Sequence, residues 1–298
     1  MTGQMVTLRD EAAGTSAEIA VDLGFNCFRF TARRSAASEE VEVLYAHPEF
    51  ASGSQRPSGS GIPILFPFPG RIPGTTFRWE GKTYELEPGD KLGNAIHGFA
   101  MRRPWKVVEQ TATRVTGQFH AWRDDASLKS RWPADFVISA TYELRGNRLD
   151  GTYRIENPCN VPLPFGFGTH PYFRVPLGGP SAADCIVWLP VTSRWVLKDM
   201  LPTGKRRELK EADGFESGRR LGELTLDDVF TGLIDNAGQC EASIDDPGGL
   251  SVAKRRRRLF PHVARHLRLS RLQPGHRNLH QPLCGGRSGP APGDQPHR

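Results

Sequence analysis

The chain has 298 residues, of which 38% are hydrophobic, so it is long enough for one large β domain or two ordinary domains with a sizeable core. Its net charge of +6 is unevenly distributed, because residues 1–250 carry a balance of −4 and residues 251–298 one of +10. The acidic balance of the first 250 residues gives that part of the chain no electrostatic reason to bind nucleic acid.

The N-terminal sequence and the cysteine count indicate the compartment. The first residues contain no apolar segment of the kind found in signal peptides, and no apolar run in the chain approaches membrane-spanning length. Five cysteines at irregular spacing do not predict a disulfide framework. We therefore expect a cytoplasmic protein that has no membrane partner.

Segments in which apolar and polar residues alternate predict short β-strands along most of the chain. Candidate strands are Glu18–Leu23, Cys27–Thr31, Val41–Tyr45, Trp105–Glu109, Arg114–Trp122 and Cys185–Val191. Glycine and proline interrupt the sequence at short intervals, and no segment keeps a helical pattern for long. This combination predicts an all-β fold, with a single antiparallel β-sandwich domain over residues 5–250.

Two segments also predict β-hairpins. Apolar and polar side chains alternate on both sides of a turn at Gly146 and Asn147, over residues 136–156. A shorter version of the pattern flanks a turn at Glu80 and Gly81. Both hairpins fit an antiparallel sandwich.

The stretch GIPILFPFPGRIPG, residues 61–74, combines strongly apolar side chains with prolines at positions 63, 67 and 69. Proline has no backbone N–H, so a long regular strand or helix is not expected here. A rigid, partly buried connection that carries Arg71 to a defined place fits both features. The alternative is that Arg71 is an ordinary surface charge.

Two histidines lie in similar surroundings of glycine and aromatic residues. His97 follows Ala-Ile and precedes Gly-Phe, a setting in which a hydrogen-bonded core histidine is the alternative to a functional one. His170 lies in PFGFGTHPYF, where Pro171 favours an extended conformation at His170. Four aromatic residues surround it, at positions 165, 167, 172 and 173. Aromatic faces beside imidazole suit a sugar, whose C–H faces stack on rings while its hydroxyls need polar partners.

The order Gly-Arg-Ile, His-Gly-Phe, Gly-Thr-His-Pro-Tyr-Phe and Leu-Thr-Leu-Asp-Asp-Val-Phe resembles the aldose 1-epimerase (galactose mutarotase) family. The resemblance covers roughly residues 5–250, and Thr-His-Pro-Tyr-Phe is its most specific element. It implies a β-supersandwich, in agreement with the strand pattern. It also implies an isomerase that interconverts the α and β anomers of a hexose without a metal or organic cofactor.

The resemblance implies a role for each site residue. His170 resembles the general acid that protonates the ring oxygen of a pyranose, and His97 resembles the neighbour that steadies the developing charge. Arg71 and Asp227 resemble residues that bind sugar hydroxyls, with Asp228 as the alternative to Asp227 if the register differs by one. Histidine suits the acid because its pKa lies near neutrality.

The base of the family is a glutamate in a C-terminal segment of the form Ile-Cys-x-Glu-Pro, and this chain lacks it. The last glutamate of the chain is Glu241. The sequence therefore predicts an acid without its usual base, which leaves the catalytic activity in doubt. The alternative function is a non-catalytic, carbohydrate-binding β-sandwich protein.

Residues 251–298 form a basic tail in which the only acidic residue is Asp294. A nucleic-acid arm would use this charge, but the tail contains one aromatic residue, Phe260, and so lacks stacking platforms. A metal site at His276, His280 and Cys284 lacks a fourth ligand and a regular element to hold it.

Two interpretations of the tail remain. The polar, Pro/Gly-rich composition is typical of a disordered segment. A frameshift also fits, because acidic residues and strand alternation disappear together while arginine, proline, glycine and histidine increase. A frameshift accounts more directly for the loss of the Glu-Pro segment.

The sequence does not identify the sugar. Arg102 and Arg103 follow the His97 motif and could meet the phosphate of a sugar phosphate, or could face solvent. Because residues 1–250 are acidic overall, we expect a neutral hexose.

Overall fold

The structure is a computed structural model that describes residues 3–33, 38–235, 239–257 and 267–269. The strands in these ranges are β1 (Met5–Asp10), β2 (Thr15–Ala20), β3 (Asn26–Arg33), β4 (Glu40–Glu42), β5 (Ile64–Leu65), β6 (Arg71–Ile72), β7 (Thr76–Trp79), β8 (Lys82–Glu85), β9 (Ala95–Ile96), β10 (Lys106–Gln110), β11 (Arg114–His120), β12 (Val137–Arg145), β13 (Arg148–Glu156), β14 (Gly168–Thr169), β15 (Ile186–Trp188), β16 (Val191–Lys198), β17 (Leu201–Glu208), β18 (Arg219–Arg220), β19 (Asp228–Leu233), β20 (Gln239–Asp246), β21 (Leu250–Arg257) and β22 (Leu267–Leu269).

Helical segments in the described ranges are short. They are α1 (Ala121–Asp124) and 3-10 turns at Phe50–Ser52, Ala100–Arg102, Ala126–Ser130, Ala182–Asp184, Glu211–Asp213 and Leu221–Glu223. Over the part of the chain that the structure describes, no helix is long and apolar enough to cross a membrane. The predominance of strand confirms the predicted all-β fold.

Two four-stranded antiparallel sheets pack around the larger of two hydrophobic cores. Their strand orders are β1-β2-β3-β4 and β10-β11-β12-β13. Alternation along β1 buries Val6 and Leu8, and alternation along β12 buries Ile138 and Tyr142. Full burial of each such side chain stabilises the fold by about 1.5–3 kcal/mol relative to exposure.

The two predicted hairpins are confirmed. Strands β12 and β13 pair over their whole length, and Arg145 faces Arg148 across the two-residue turn. Strands β7 and β8 pair around Glu80 and Gly81, both of which have positive φ angles (47° and 80°). Positive φ at both central residues is the geometry of a tight turn whose twist matches that of the strands.

A second pair of antiparallel sheets encloses the smaller core. Their orders are β18-β15-β20-β21 and β17-β16-β19-β22. The predicted strand over Cys185–Val191 is divided between β15 and β16, with Pro190 between them. Proline cannot donate a hydrogen bond to a neighbouring strand, which explains the interruption.

The two cores meet beside the segment that carries His170. Phe173 and Val252 each pack against both core clusters. Phe173 follows β14, and Val252 lies in β21. The second pair of sheets thus contacts the first at the His170 segment.

Residue 250, where the sequence placed the end of the domain, is the first residue of strand β21. Strand β21 extends to Arg257 and pairs with β20 along its length, and β22 pairs with β19. The remaining parts of the predicted tail lie outside the described residues, including Phe260, His276, His280 and Cys284. The disordered, frameshift and metal-site interpretations depend on those parts.

Candidate functional site

The proline-rich stretch predicted as a rigid connection lies between the two histidine segments. On one side, the Phe66 carbonyl accepts from the backbone N–H groups of Phe99 (2.8 Å) and Ala100 (3.1 Å). On the other side, the Pro63 carbonyl accepts from the N–H of His170 at 3.1 Å. Proline residues offer backbone carbonyl groups but no N–H. The stretch can therefore accept hydrogen bonds from the N–H groups of both histidine segments without forming a regular strand.

His97 lies at a sharp reversal of the backbone. Its φ angle is 67° and that of Gly98 is 69°. A Cβ atom on Gly98 would lie 2.2 Å from the Phe66 carbonyl oxygen, so only glycine permits this close approach. A left-handed conformation at a non-glycine residue costs of order 1–3 kcal/mol, and such strain often occurs at functional sites.

The His97 ring is fixed in orientation and in tautomer. The residue is 7% exposed, and its Nδ1 lies 2.9 Å from the carbonyl oxygen of Pro69. Because a carbonyl oxygen only accepts, Nδ1 carries the proton. The neutral form of His97 therefore has its acceptor lone pair on Nε2.

His170 lies immediately after β14, which pairs with β5 of the proline-rich stretch. Its ring stacks on Tyr172 with centroids 4.8 Å apart. The rings of His97 and His170 lie 6.1 Å apart, at an interplanar angle of 61°. The two imidazoles are thus close enough for both to contact one pyranose ring.

Arg71 reaches the same region through strand pairing. It faces Ile96 in the β6–β9 pair, one residue before His97. Its Nε donates to the Asp90 carboxylate at 2.6 Å, and its side chain is 14% exposed. Asp90 is its hydrogen-bond partner among the described residues, which leaves the two Nη groups as donors for a ligand. Arg71 is therefore a half-buried, ion-paired residue rather than a free surface charge.

Asp90 is a site residue that the sequence did not single out. Burial acts to raise its pKa, but hydrogen bonds from Asn94, Arg71 and Leu92 outweigh burial and lower the pKa to about 2. Asp90 therefore stays ionised at neutral pH and holds Arg71. A local feature of the sequence could have drawn attention to Asp90. Its carboxylate accepts from the N–H of Leu92, and an aspartate that accepts from the N–H two residues later is common in turns.

The four aromatic residues around His170 do not form one continuous wall. Phe173 packs on both cores, and the Phe167 ring contacts Tyr153 in the larger core. Phe165 is 45% exposed, and Tyr172 stacks on His170. Of the four predicted platforms, Phe165 and Tyr172 are therefore the better placed for a sugar.

Asp227 is attached to a different pair of sheets from the strands that precede the two histidines. It is exposed and immediately precedes β19, in the second pair of sheets. Its neighbour Asp228 begins β19 and accepts from Arg194 Nη1 at 3.0 Å. Asp228 is thus held by an ion pair, and Asp227 is an exposed residue next to it in the chain.

Arg103 is already neutralised by two carboxylates. It donates to Glu87 and to Asp125. Arg102 is half-buried, and burial lowers its pKa, as does the proximity of Arg103 and Arg56. The pair therefore does not present two equivalent free cations beside His97.

Histidine, cysteine and carboxylate side chains, the usual metal ligands, occur throughout the described ranges. Within them, no group of three or more His, Cys, Asp or Glu side chains is arranged to hold a metal ion. The groups described beside His97 and His170 include an arginine paired with a carboxylate, and aromatic rings. That set suits hydrogen bonding and proton transfer to an uncharged polyol.

Comparison with curated proteins points to one family. A family model described as Aldose 1-epimerase matches residues 34–251. The uncharacterized protein YihR of Escherichia coli (strain K12) is 26% identical over 172 residues, 56% of this chain and 53% of YihR. The uncharacterized protein YphB of the same organism is 26% identical over 117 residues, 37% of this chain and 35% of YphB. The matches thus span about half the length of these relatives or less.

Solved structures share the fold. Slr1438 from Synechocystis sp. PCC 6803 is 26% identical with a TM-score of 0.63, covering 82% of this chain and 74% of its own. A galactose mutarotase-like protein from Clostridium acetobutylicum is 24% identical with a TM-score of 0.68, covering 82% and 78%. Galactose 1-epimerase from Lactobacillus acidophilus NCFM is 18% identical with a TM-score of 0.58, covering 81% and 79%. These likenesses confirm the predicted galactose mutarotase-like β-supersandwich.

Proposed function

We propose that this chain, which belongs to the aldose 1-epimerase family, binds a neutral hexose and interconverts its α and β anomers. The observation that carries the proposal is the approach of the His97 and His170 rings to 6.1 Å beside the proline-rich stretch. Membership of the family supports an isomerase-type enzyme.

The chemistry requires two proton transfers. The ring oxygen of the pyranose is protonated while the anomeric hydroxyl loses its proton, so the C1–O5 bond breaks and an aldehyde forms. Rotation about C1–C2 and closure on the other face give the second anomer. His170 is proposed as the acid, since a histidine near neutrality can both give and recover the proton.

His97 and Arg71 are proposed as partners in this step. With Nδ1 bound to the Pro69 carbonyl, His97 can direct only Nε2 towards a sugar. Arg71, held by Asp90 through Nε, can donate from Nη1 and Nη2 to hydroxyl groups. Both residues are fixed by the backbone and by the ion pair before a sugar arrives, which reduces the entropy lost on binding.

Asp227 completes the proposed set as a hydroxyl-binding carboxylate from the second pair of sheets. The base is the open role, because no glutamate follows Glu241 in the sequence. One general acid or base group contributes typically 10²–10⁴-fold. We therefore expect anomer interconversion about 10²–10⁴-fold slower than in a family member that has its glutamate, unless Asp228 acts as the base.

A non-catalytic sugar-binding protein is the second candidate. The observation that favours it is the same absence of a glutamate after Glu241. In that case Arg71 and the two histidines would bind a sugar without turning it over.

Polarimetry on freshly dissolved α-glucose and α-galactose, with sugar binding measured by calorimetry, separates the two functions. Replacement His170→Gln should lower the catalysed rate by about 10²–10⁴-fold while sugar binding changes little. His120→Gln is the control, because His120 ends β11 and its ring pairs with Asp135. Binding without any catalysed mutarotation would select the second candidate, and absence of both would contradict the proposal.

A further inference from the structure

The loop of residues 89–94 leads into β9, the strand that pairs with β6 and therefore with Arg71. Asp90 lies near its start and Asn94 at its end. The backbone carbonyl of Asn94 accepts from the N–H groups of Gly89 (2.9 Å) and Asp90 (3.2 Å), so the two ends of the loop are joined. A loop closed in this way keeps Asp90 at a fixed place relative to β9.

The carboxylate of Asp90 accepts four hydrogen bonds. Its Oδ2 accepts from Arg71 Nε (2.6 Å) and from Asn94 Nδ2 (3.2 Å). Its Oδ1 accepts from the N–H groups of Leu92 and Asn94, each at 2.9 Å. An ionised carboxylate has about four acceptor sites, and these donors occupy that number. Asp90 is therefore committed to holding Arg71 and the loop, and it does not supply the missing base.

The side chain of Asn94 connects this carboxylate to the strand that carries Arg71. Its Oδ1 accepts from the N–H of Gly74 at 3.0 Å, two residues after the end of β6. The Gly74 carbonyl in turn accepts from the N–H of Ala95 at 2.7 Å. Asn94 is 6% exposed, and a buried amide costs free energy unless it is hydrogen-bonded. Both ends of this amide are bonded, one to the Arg71 strand and one to the partner of Arg71.

The loop also packs closely on β9. A Cβ atom on Gly89 would lie 2.4 Å from Ile96 Cγ2 and 3.0 Å from the Ile96 backbone nitrogen. Ile96 is the residue that faces Arg71 in the β6–β9 pair. The backbone of Arg71 is thus fixed by β9, and its Nε is fixed by a loop that lies against the same strand.

We propose that Asn94 is a positioning residue for Arg71, which it holds through Asp90 and through the backbone at Gly74. This inference rests on the proposed role of Arg71 in binding sugar hydroxyls. A long side chain loses rotamer freedom when it binds, so a guanidinium that is fixed beforehand loses less entropy. In this role Asn94 acts through Arg71 and needs no contact with the sugar.

The first test observes Arg71 without any sugar. The NMR signal of its Nε–H group is assigned by its loss in Arg71→Lys. Asn94→Ala removes a donor to Asp90 and the acceptor for Gly74, so the signal should shift and its exchange with water should accelerate by about tenfold. Asn94→Asp keeps the shape and the acceptor for Gly74, but it places a second carboxylate beside Asp90 and should also shift the signal.

Asn26→Ala is the matched control. Asn26 is a buried amide, 1% exposed, that holds a different loop by accepting from the N–H of Ile62 (2.7 Å) and donating to the Ser60 carbonyl (3.0 Å). Its removal should lower stability and leave the Arg71 signal unchanged. An unchanged signal in folded Asn94→Ala, or an equal change in Asn26→Ala, would overturn the proposal. If Asn94→Ala does not fold, the comparison of Asn94→Asp with Asn26→Ala decides it.

The second test asks whether Asn94 acts on sugar binding through Arg71. Calorimetry with glucose and galactose should show binding weakened by about 3–10-fold in Asn94→Ala. In an Arg71→Met background the same change should weaken binding by less than about twofold, because the residue that it positions is already gone. Equal losses in the two backgrounds would mean that Asn94 only stabilises the fold, and the proposal would be wrong.

The two tests separate this proposal from the proposed function. A changed Arg71 signal in a protein that binds neither glucose nor galactose would leave the positioning role intact and count against the proposed function. Sugar binding that stays the same in Asn94→Ala, together with an unchanged Arg71 signal, would do the reverse.

Discussion

The two pairs of sheets differ in the size of the cores that they enclose. Among the described residues, the first core contains 28 buried hydrophobic side chains, and the second contains 8. The first core is rich in aromatic contacts, such as the packing of Phe136 against Phe66 with ring centroids 4.8 Å apart. The residues Arg71, His97 and His170 all lie on the side of the larger core.

The two pairs of sheets make different contributions to the proposed site. The larger core fixes the proline-rich stretch and therefore the distance between the two imidazoles. The sheets around the smaller core contribute Lys254, which donates to Thr169, and Asp246, which accepts from the N–H of Leu177. Rigid packing keeps the spacing of the two imidazoles fixed, and polar contacts from the second pair of sheets hold residues on either side of His170.

The largest expected effect compares the two cores directly. Phe136 is 0% exposed, so Phe136→Ala should lower the free energy of unfolding by about 3–5 kcal/mol. Phe230 is 1% exposed in the smaller core. Phe230→Ala should lower the free energy of unfolding by about 3 kcal/mol or less, since fewer buried neighbours are left around the cavity. Urea unfolding measures both losses, and equal losses would remove the distinction between the cores.

The next effect tests the close approach at the His97 reversal. Gly98→Ala should destabilise the protein by about 3 kcal/mol, because the added Cβ meets the Phe66 carbonyl and φ is positive. Gly81→Ala is the control, since Gly81 has a φ of 80° but nothing within 4 Å of an added Cβ. Its cost should be about 1–2 kcal/mol, from φ alone. Equal costs in urea unfolding would mean that the contact with Phe66 relaxes freely.

A third prediction concerns the Asp246 contact and its pH dependence. Burial acts to raise the pKa of Asp246, but hydrogen bonds from Gly248, Gly179, Gly178 and Leu177 outweigh burial and lower it from its ordinary value near 3.8. A lowered pKa in the folded state stabilises the protein above about pH 4, and the contribution is lost as the pH falls through the folded pKa. Asp246→Asn should therefore cost about 1.5–3 kcal/mol at pH 7.

The pH series provides the check on this carboxylate. The difference in unfolding free energy between Asp246→Asn and the unchanged protein should narrow as the pH falls below about 4. Asp245→Asn, on the neighbouring position of β20, is the matched control and should cost little at pH 7. If the loss of unfolding free energy in Asp246→Asn stays constant down to acid pH, the charge of Asp246 is not what holds the backbone at Leu177 and Gly179.

The smallest stability effect is expected at the exposed aromatic residue beside the site. Phe165 is 45% exposed and touches Phe66 with centroids 5.7 Å apart, so Phe165→Ala should cost less than about 1 kcal/mol. The loss in free energy of sugar binding should exceed the loss in free energy of unfolding, because an exposed ring can stack on a sugar face. Calorimetry with glucose and galactose compares the two, and unchanged sugar binding would exclude Phe165 as a platform.

Local features of the sequence predicted much of the fold. The β12–β13 hairpin was predictable because the side-chain period of a strand is two and because Gly146 and Asn147 favour a tight turn. The break at Pro190 was missed, although its cause is local, because the apolar run continues through it. Arg71, His97 and His170 were identified by their motifs, and the structure brings them together.

Contacts between distant segments were not predictable in the same way. Lys254 lies in a run of basic residues that resembles a solvated tail, yet it reaches Thr169, 85 residues earlier in the chain. Strand β21 likewise continues beyond the predicted domain boundary, because pairing with β20 satisfies its backbone groups whatever its charge.

The sequence by itself determined the strand pattern, the turns and the identity of the paired histidines, because periodicity, glycine and proline act within a few residues. Only the tertiary structure decided which carbonyl fixes His97, which carboxylate holds Arg71 and which cation contacts Thr169. Those contacts depend on how the two pairs of sheets and the proline-rich stretch pack together. Packing of that kind joins residues far apart in the chain, and no local pattern records it.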